Sequence, residues 1–418
     1  MRWWTRFGSE VGPMKWSFSQ SEMVDLLCRF AGAPTPRGTE PRLLSLVRGV
    51  ALGKRMLKYS GWLAGVFFVS LITSNVHHLS RIPKPAQPNR GLPPATEVLT
   101  PVVERYAPFI YAATDKSGGR QDIISNIDFD GDLVGDNNWE NFDSFELKPT
   151  VYYAILETET HYFVSYHLYH PRDWNHFTFW LNDTHENDGE NFQVVVRKSD
   201  GRVVLLWTQA HYRSCLYTSP ASGIESGATQ VNGEFQTVDP DGVPDDNGTH
   251  ACVFVESQGH GIYGTLGSDS EVRLSPDGAY GFKSGSGVLF RPVRAGEEAS
   301  EPPNTNTGES GYRLDSITMK LWPLLRERGL TGDGKLLDGS YRYQDDLVDV
   351  QEVPRFYDGN RLSGPFGSDR GISPFALDFS FERGTLGALF FNPAKRYAER
   401  MTIPVPWSRE YVNYPFAR

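Results

Sequence analysis

Between residues 192 and 209 the chain reads "FQVVVRK", then "SDG", then "RVVLLWTQ". Two runs rich in β-branched residues flank a short polar turn, a pattern that predicts an antiparallel hairpin. Valine is stiff at χ1 and suits a pleated strand better than a helix. Just upstream, "TVYYAILET" (150–158) and "HYFVSYHLYH" (161–170) are two more strand-like runs around a tight turn. "YAPFIY" (106–111) starts the folded sequence, and "ACVFVES" (251–257) and "GVLFRP" (287–292) are further short strands. Aromatics at 13%, with 41 Gly and 28 Pro, favour β architecture over helical bundles. Regularly spaced short strands with turn signals predict an all-β fold, a β-sandwich with long loops, over residues 99–293. "RAGEEASEPPNTNTGESG" (294–311) has linker or loop composition. Residues 312–418 read as a C-terminal extension packed on the sandwich. Within it "SITMKLWPLLRERG" (316–329) predicts a helix, with Pro323 in its first turn or kinking it.

A single N-terminal hydrophobic segment precedes this domain. Lys54, Arg55 and Lys58 lead into a stretch from Tyr59 to Ser80 without a Lys, Arg, Asp or Glu. A basic flank before an apolar core reads as a signal peptide or signal anchor over 56–80, which would export the rest of the chain. If uncleaved, residues 59–80 would hold the protein in a membrane facing outward; if cleaved, it would be secreted or periplasmic. "RIPKPAQPNRGLPPATE" (81–97) lies in a Pro-rich spacer, 81–98. Residues 1–55 are either a cytoplasmic N-terminal extension or an over-read upstream of a true start at Met56. Mass spectrometry of the native N-terminus distinguishes the two, because a peptide from residues 1–55 excludes the over-read.

Charge is split. Residues 1–55 hold nine basic residues against four acidic ones, while the whole chain carries −10. The acidic body argues against nucleic acid as a partner and favours cations. Of the three cysteines, Cys28, Cys215 and Cys252, two remain after Met56. In an oxidising compartment Cys215 and Cys252 would be a disulfide candidate; two buried thiols are the alternative.

Eight of the ten histidines fall between residues 161 and 260. Four stretches there join ligand-type residues to strand ends: "HPRDW" (170–174), "HENDGE" (185–190), "QAHYRS" (209–214) and "SQGHGIYG" (257–264). On an ideal strand Asp188 and Glu190 share a face and His185 does not, so His185 is expected in a loop. Imidazole with carboxylates is a mixed N/O ligand set, suited to a divalent cation, with Mg²⁺, Ca²⁺, Mn²⁺ and Zn²⁺ all compatible.

The run "VSYHLYHPRDW…HENDGENFQVVVRKSDGRVVLLWTQAHYRS" resembles the core of the necrosis-inducing, NLP-type cytolysins. Their pattern is a Tyr-rich strand, Pro-Lys-Asp, Gly-His-Arg-His-Asp-Trp-Glu, an apolar strand and Ser-Ala-His. "CVFVESQGHGIYG" is similar to the Gly-x-His-x-x-Tyr element of the vacuolar protein sorting 62-like family. The resemblance covers about residues 104–292. It implies a β-sandwich with a divalent cation at its rim. Asp173 matches the Asp of Pro-Lys-Asp. His185, Asp188 and Glu190 match the His, Asp and Glu of the heptapeptide, His211 the later His, and His260 the Gly-x-His element. Gly189 stands where those families have Trp, Asn187 at a basic or His position, and Glu186 where they have Arg. Without the Trp, toxin activity does not carry over.

"NIDFDGDLVGDNNWENFD" (126–143) offers a second possible calcium loop, with Asp128, Asp130, Asp132 and Asp136 at D-x-D-G-D-x-x-x-D spacing. An acidic surface turn is its alternative reading. Three functions stand open. One is a metal-dependent binder of a carbohydrate (glycan) or lipid head group. Another is a metal-assisted hydrolase, with Glu186 or Glu190 (or Asp188) as base. The third is a structural envelope protein with ion-braced loops. No G-x-S-x-G elbow, P-loop or dinucleotide fingerprint is present.

Overall fold

The hairpin read from residues 192–209 sits at the heart of the sheet. Strands β4 (His185–Arg197) and β5 (Arg202–Ala210) pair from Phe192↔Thr208 to Arg197↔Arg202. Gly201, at φ +70°, closes the turn by donating its N–H to Arg197 O at 2.9 Å. A left-handed residue is required here, and glycine adopts that conformation without a Cβ clash. Strands β2 (Thr150–Thr158) and β3 (His161–Asp173) precede β4, and β6 (Arg213–Thr218) follows β5. All five form an antiparallel meander.

The computed structural model of the chain describes residues 99–416, apart from 175–183, 211–212, 265–271, 275–279, 283–285, 339–342, 345–348, 351–360, 363–370 and 380–385. These residues belong to one compact unit, Pro85–Arg418. The N-terminal extension (1–55), the expected signal or anchor segment (56–80) with the membrane contact expected at 59–80, and the spacer at 81–98 lie outside the described residues. Among the described residues, no helix is long and apolar enough to cross a membrane.

The all-β expectation holds, and among the described residues most strands join one continuous thirteen-stranded sheet, beside four small two-stranded ones. Strands β1 (Phe109–Ala113), β7 (His250–Val255), β8 (Ile262–Gly264), β9 (Gly287–Pro292) and β10 (Glu309–Ser316) complete its long path. The order is β8-β7-β1-β9-β10-β2-β3-β4-β5-β6, ending on the short strand Gly233–Glu234. The join between the halves is parallel: β10 pairs parallel with both β9 and β2. The sheet curls until its ends meet. A Cβ on Gly264 of β8 would lie 3.0 Å from the Tyr217 ring of β6, and one on Gly261 would lie 3.2 Å from Ala210 of β5.

The central strands are buried on both faces. Tyr166 donates its hydroxyl to Tyr106 O on one side and stacks on Phe192. On the other side Phe163 packs against Tyr397 and Trp407, and Asn191 donates to Ser373 O. The described residues of 371–379 and 386–416 thus cover the face of the meander opposite β1. Double coverage explains why "FQVVV" and "VVLLW" read as unbroken apolar runs rather than alternating ones. Each fully buried side chain of this kind, such as Trp207 or Val194, contributes about 1.5–3 kcal/mol.

The segment Arg294–Gly308 is pinned to the body. Arg120 donates to both oxygens of Glu301, at 2.5 and 2.9 Å, and the Leu147 amide donates to Glu301 as well. The predicted helix near 316–329 forms as a wide turn, Ile317–Leu321, running into α-helix Trp322–Arg326, with Pro323 in its first turn. The disulfide expectation is corrected: Cys215 and Cys252 are not bonded to each other. Cys252 is buried with its thiol 4.0 Å from the Tyr111 hydroxyl, and burial pushes it up to about 12.

Candidate metal centre

The open ends of β3 and β4 carry the candidate ligands. Their pairing runs in constant register, Leu168↔Glu190, His170↔Asp188, Arg172↔Glu186 and Asp173↔His185. Strict alternation would send the last pair to the opposite face from His170 and Asp188. Asn187 breaks the alternation with φ +58°. Asparagine tolerates this left-handed backbone better than most side chains. Its side chain is clamped, with Tyr169 donating to Oδ1 at 2.6 Å, Asn138 Nδ2 donating to the same oxygen, and Nδ2 donating to Gly135 O. His185 therefore lies on the strand itself, where a loop position was expected, and its phase is reset by one backbone residue.

Two groups of ligand atoms result. Asp173, His185 and Asp188 lie within 4.8 Å of one another, and so do His170, Asp188 and His260. His185 Nε2 is 3.4 Å from Asp173 Oδ2, and its Nδ1 donates to Glu186 O at 3.0 Å. Asp188 Oδ1 accepts the Gly189 N–H at 2.9 Å, while Oδ2 lies 2.7 Å from His260 Nδ1. His260 Nε2 is 3.3 Å from Asp122 Oδ1. The His170 and His260 rings stack with centroids 3.7 Å apart and planes within 7°.

Burial sets the charges. It opposes ionisation of His260, but hydrogen bonds to Asp122 and Asp188 and their charges outweigh it and hold the ring at about 10, so both N–H groups donate. Burial alone would raise Asp188; the His260 bond and the nearby imidazoles keep it well below the usual carboxylate range. Burial would likewise lower His185, but its bond to Asp173 and the charges of Asp188 and Asp173 raise it. Asp173 is raised by burial. His170 is driven well below its ordinary value by burial and by the charge on His260.

The donors fit a divalent cation. The first group offers two carboxylates and an imidazole, suited to Mg²⁺, Ca²⁺ or Mn²⁺; the second, richer in nitrogen, suits Zn²⁺ or Mn²⁺. His170 is fully buried, and neither ring nitrogen has a hydrogen-bond partner among the described residues. Buried imidazole nitrogens are normally partnered by protein, ordered water or an ion.

Of the other candidates, Glu190 is buried two residues beyond Asp188 and belongs to neither converging group. Glu186 accepts the Trp139 N–H at 2.8 Å and is pushed up to about 7, first by burial and then by Glu140 and Asp136; it too lies outside both groups. His211 is outside the described residues. The carboxylates of Asp128, Asp130, Asp132 and Asp136 are not among the groups that converge within ligand distance. Asp130 accepts from Asn141, and Asp132 from the Val134 amide, bonds that fit an acidic turn. His170 and Asp122 were not singled out from the sequence. "HPRDW" pointed to the first, whereas nothing local marks Asp122.

No family model and no curated protein matches this chain. Solved structures do. The matching folds include NLP proteins. A toxin fold described for microbial attack and plant defense is 17% identical, over 44% of this chain and 74% of that one, with a TM-score of 0.24. NLPPya in complex with glucosamine is 20% identical over 44% and 74%, TM-score 0.24. Necrosis and Ethylene inducing Protein 2, from the causal agent of cocoa's Witches Broom disease, is 14% identical over 60% and 85%, TM-score 0.25.

Proposed function

We propose that this chain is a divalent-cation-binding β protein whose bound ion bridges to a carbohydrate or lipid head group. The observation that carries the reading is the convergence of Asp173, His185 and Asp188 on one side of the β3–β4 hairpin. Asp173, at 14% side-chain exposure, is the most open of the three, so a ligand would reach the ion past it. The cation supplies a positive charge that sugar hydroxyls or a phosphate can share. Export, with or without anchoring through residues 59–80, belongs to the same proposal.

Elemental analysis of the purified full chain tests it, beside His185→Ala and Asp188→Ala. Stoichiometric metal in the parent, with at least one equivalent lost from each variant, supports the site. Titration calorimetry with glucosamine and mannosamine, the sugars solved with NLPPya, then probes the ligand. Heat that vanishes on chelation supports a cation-bridged sugar. No metal in the parent chain overturns the reading.

A further inference from the structure

We propose that Asp188 is a bridging carboxylate between two cation positions: one completed by Asp173 and His185, the second by His170 and His260, the latter suited to Zn²⁺ or Mn²⁺. The inference rests on the reading that Asp173, His185 and Asp188 hold a cation. It adds a second ion and new ligands to that site.

Three features carry it. Asp188 belongs to both groups of converging ligand atoms. Its two oxygens face different partners, Oδ1 the Gly189 amide and Oδ2 the His260 ring. A carboxylate that offers one oxygen to each of two ions holds them about 3.5–4 Å apart, the spacing of two-metal centres.

His260 is already oriented as a metal ligand. Asp122 faces its Nε2, leaving Nδ1 aimed at Asp188. Metal-bound histidines characteristically give their other ring nitrogen to a carboxylate in this way. Asp122 is itself fixed by the amides of Asp115 and Gln258, at 2.6 and 2.7 Å. The His260 backbone sits at φ +52°, a left-handed conformation uncommon for non-glycine residues but tolerated by histidine. Binding an ion at Nδ1 displaces that proton to water, while Nε2–H stays on Asp122. The displaced N–H···O contact is replaced by Nδ1 and Oδ2 bound to the same ion.

His170 supplies the independent sign. It lies across the ladder from Asp188, stacked on His260, fully buried, with both ring nitrogens unpartnered among the described residues. No hydrogen bond to a described residue accounts for it, whereas ligation through one nitrogen does. The ligand atoms lie within 4.8 Å of one another, and joint ligation requires the His170 ring to turn out of its parallel stack on His260 so that the in-plane lone pairs of both rings converge.

The full chain, stripped with chelator and dialysed against Mn²⁺, gives the test. Expected are two ions per wild-type chain and an exchange-coupled Mn²⁺ resonance spectrum. His170→Gln should hold one ion and give an isolated six-line spectrum. One ion per wild-type chain, lost in His185→Ala, would overturn the pair and leave the single-ion reading standing. No bound ion overturns both. Two ions retained in His170→Gln would also sink the inference, because the second ion would then sit elsewhere. The wild-type spectrum needs no variant to fold.

Discussion

The Ile372 amide donates to the Gly189 carbonyl at 2.7 Å, so a segment from the C-terminal third of the chain closes directly over the strand that carries Asp188. A Cβ on Gly189 would lie 2.7 Å from His167 Cε1, 2.8 Å from Ile372 O and 3.0 Å from Leu362 Cδ1. The reverse side is as tight, since a Cβ on Gly371 would lie 2.1 Å from Gly189 N. The position where related motifs carry Trp is thus filled by this chain's own residues. Gly189→Ala is expected to lower stability by about 1–3 kcal/mol through overpacking, measured by urea denaturation. Gly189→Trp should fail to fold. An unchanged midpoint in Gly189→Ala would refute the packing.

Asn187 combines a left-handed backbone with three side-chain hydrogen bonds. Asn187→Gly keeps the conformation and loses the bonds; Asn187→Ala loses both. Alanine is therefore expected to cost about 1 kcal/mol more than glycine. Both should weaken cation affinity, because the phase of His185 depends on this residue. Denaturation midpoints and metal dialysis on the pair check the order.

How much of this could be read from the chain depended on range. The β4–β5 hairpin was legible because its turn and both its strands are contiguous and its geometry is local. The parallel placement of β10 between β9 and β2 was not, because parallel neighbours leave no turn signature. That same join makes one continuous sheet where a sandwich was expected. His185, Asp188 and His260 were visible as residue types near strand ends. The convergence of His185 with Asp188 depends on the φ of Asn187, which residue spacing does not reveal, and that of His260 on a long-range approach. His170 stood in a quoted stretch without being chosen, and Asp122, from a short 3₁₀ turn, has no local mark at all.

His161 is buried against Trp407, with ring centroids 4.4 Å apart, and lies 2.9 Å from the Thr160 hydroxyl through Nδ1. Burial first, and the Arg197 charge second, lower it from 6.5 to about 4, with Asp200 opposing. The unfolded chain therefore binds the proton at higher pH than the folded one. The neutral ring's contribution is fully present above pH 6.5 and is lost as pH falls toward 4. The span corresponds to at most about 3 kcal/mol. His167 and His250 are also lowered, so the wild type alone does not isolate the effect. His161→Phe should flatten part of the stability–pH curve between pH 6.5 and 4, as measured by urea titration at stepped pH. An identical slope in wild type and variant would exclude the assignment.

Asp188 is the single side chain that both candidate cation positions share. In the metal-free protein it also neutralises His260, which is fully buried between Asp188 and Asp122. Asp188→Asn leaves that imidazolium with one carboxylate instead of two and can point an amide N–H at the ring nitrogen. Breaking a buried pair from one side costs about 3–5 kcal/mol, and a loss in that range is expected for the chelated protein. Asp173→Asn touches a more exposed group, paired to His185 at 3.4 Å, and should cost less. The two variants should also differ in metal content after dialysis. Asp188→Asn is expected to retain no stoichiometric ion, and Asp173→Asn to retain the one at His170 and His260. Equal metal loss in both would mean that the two positions do not fill independently, and that one shell uses all five side chains.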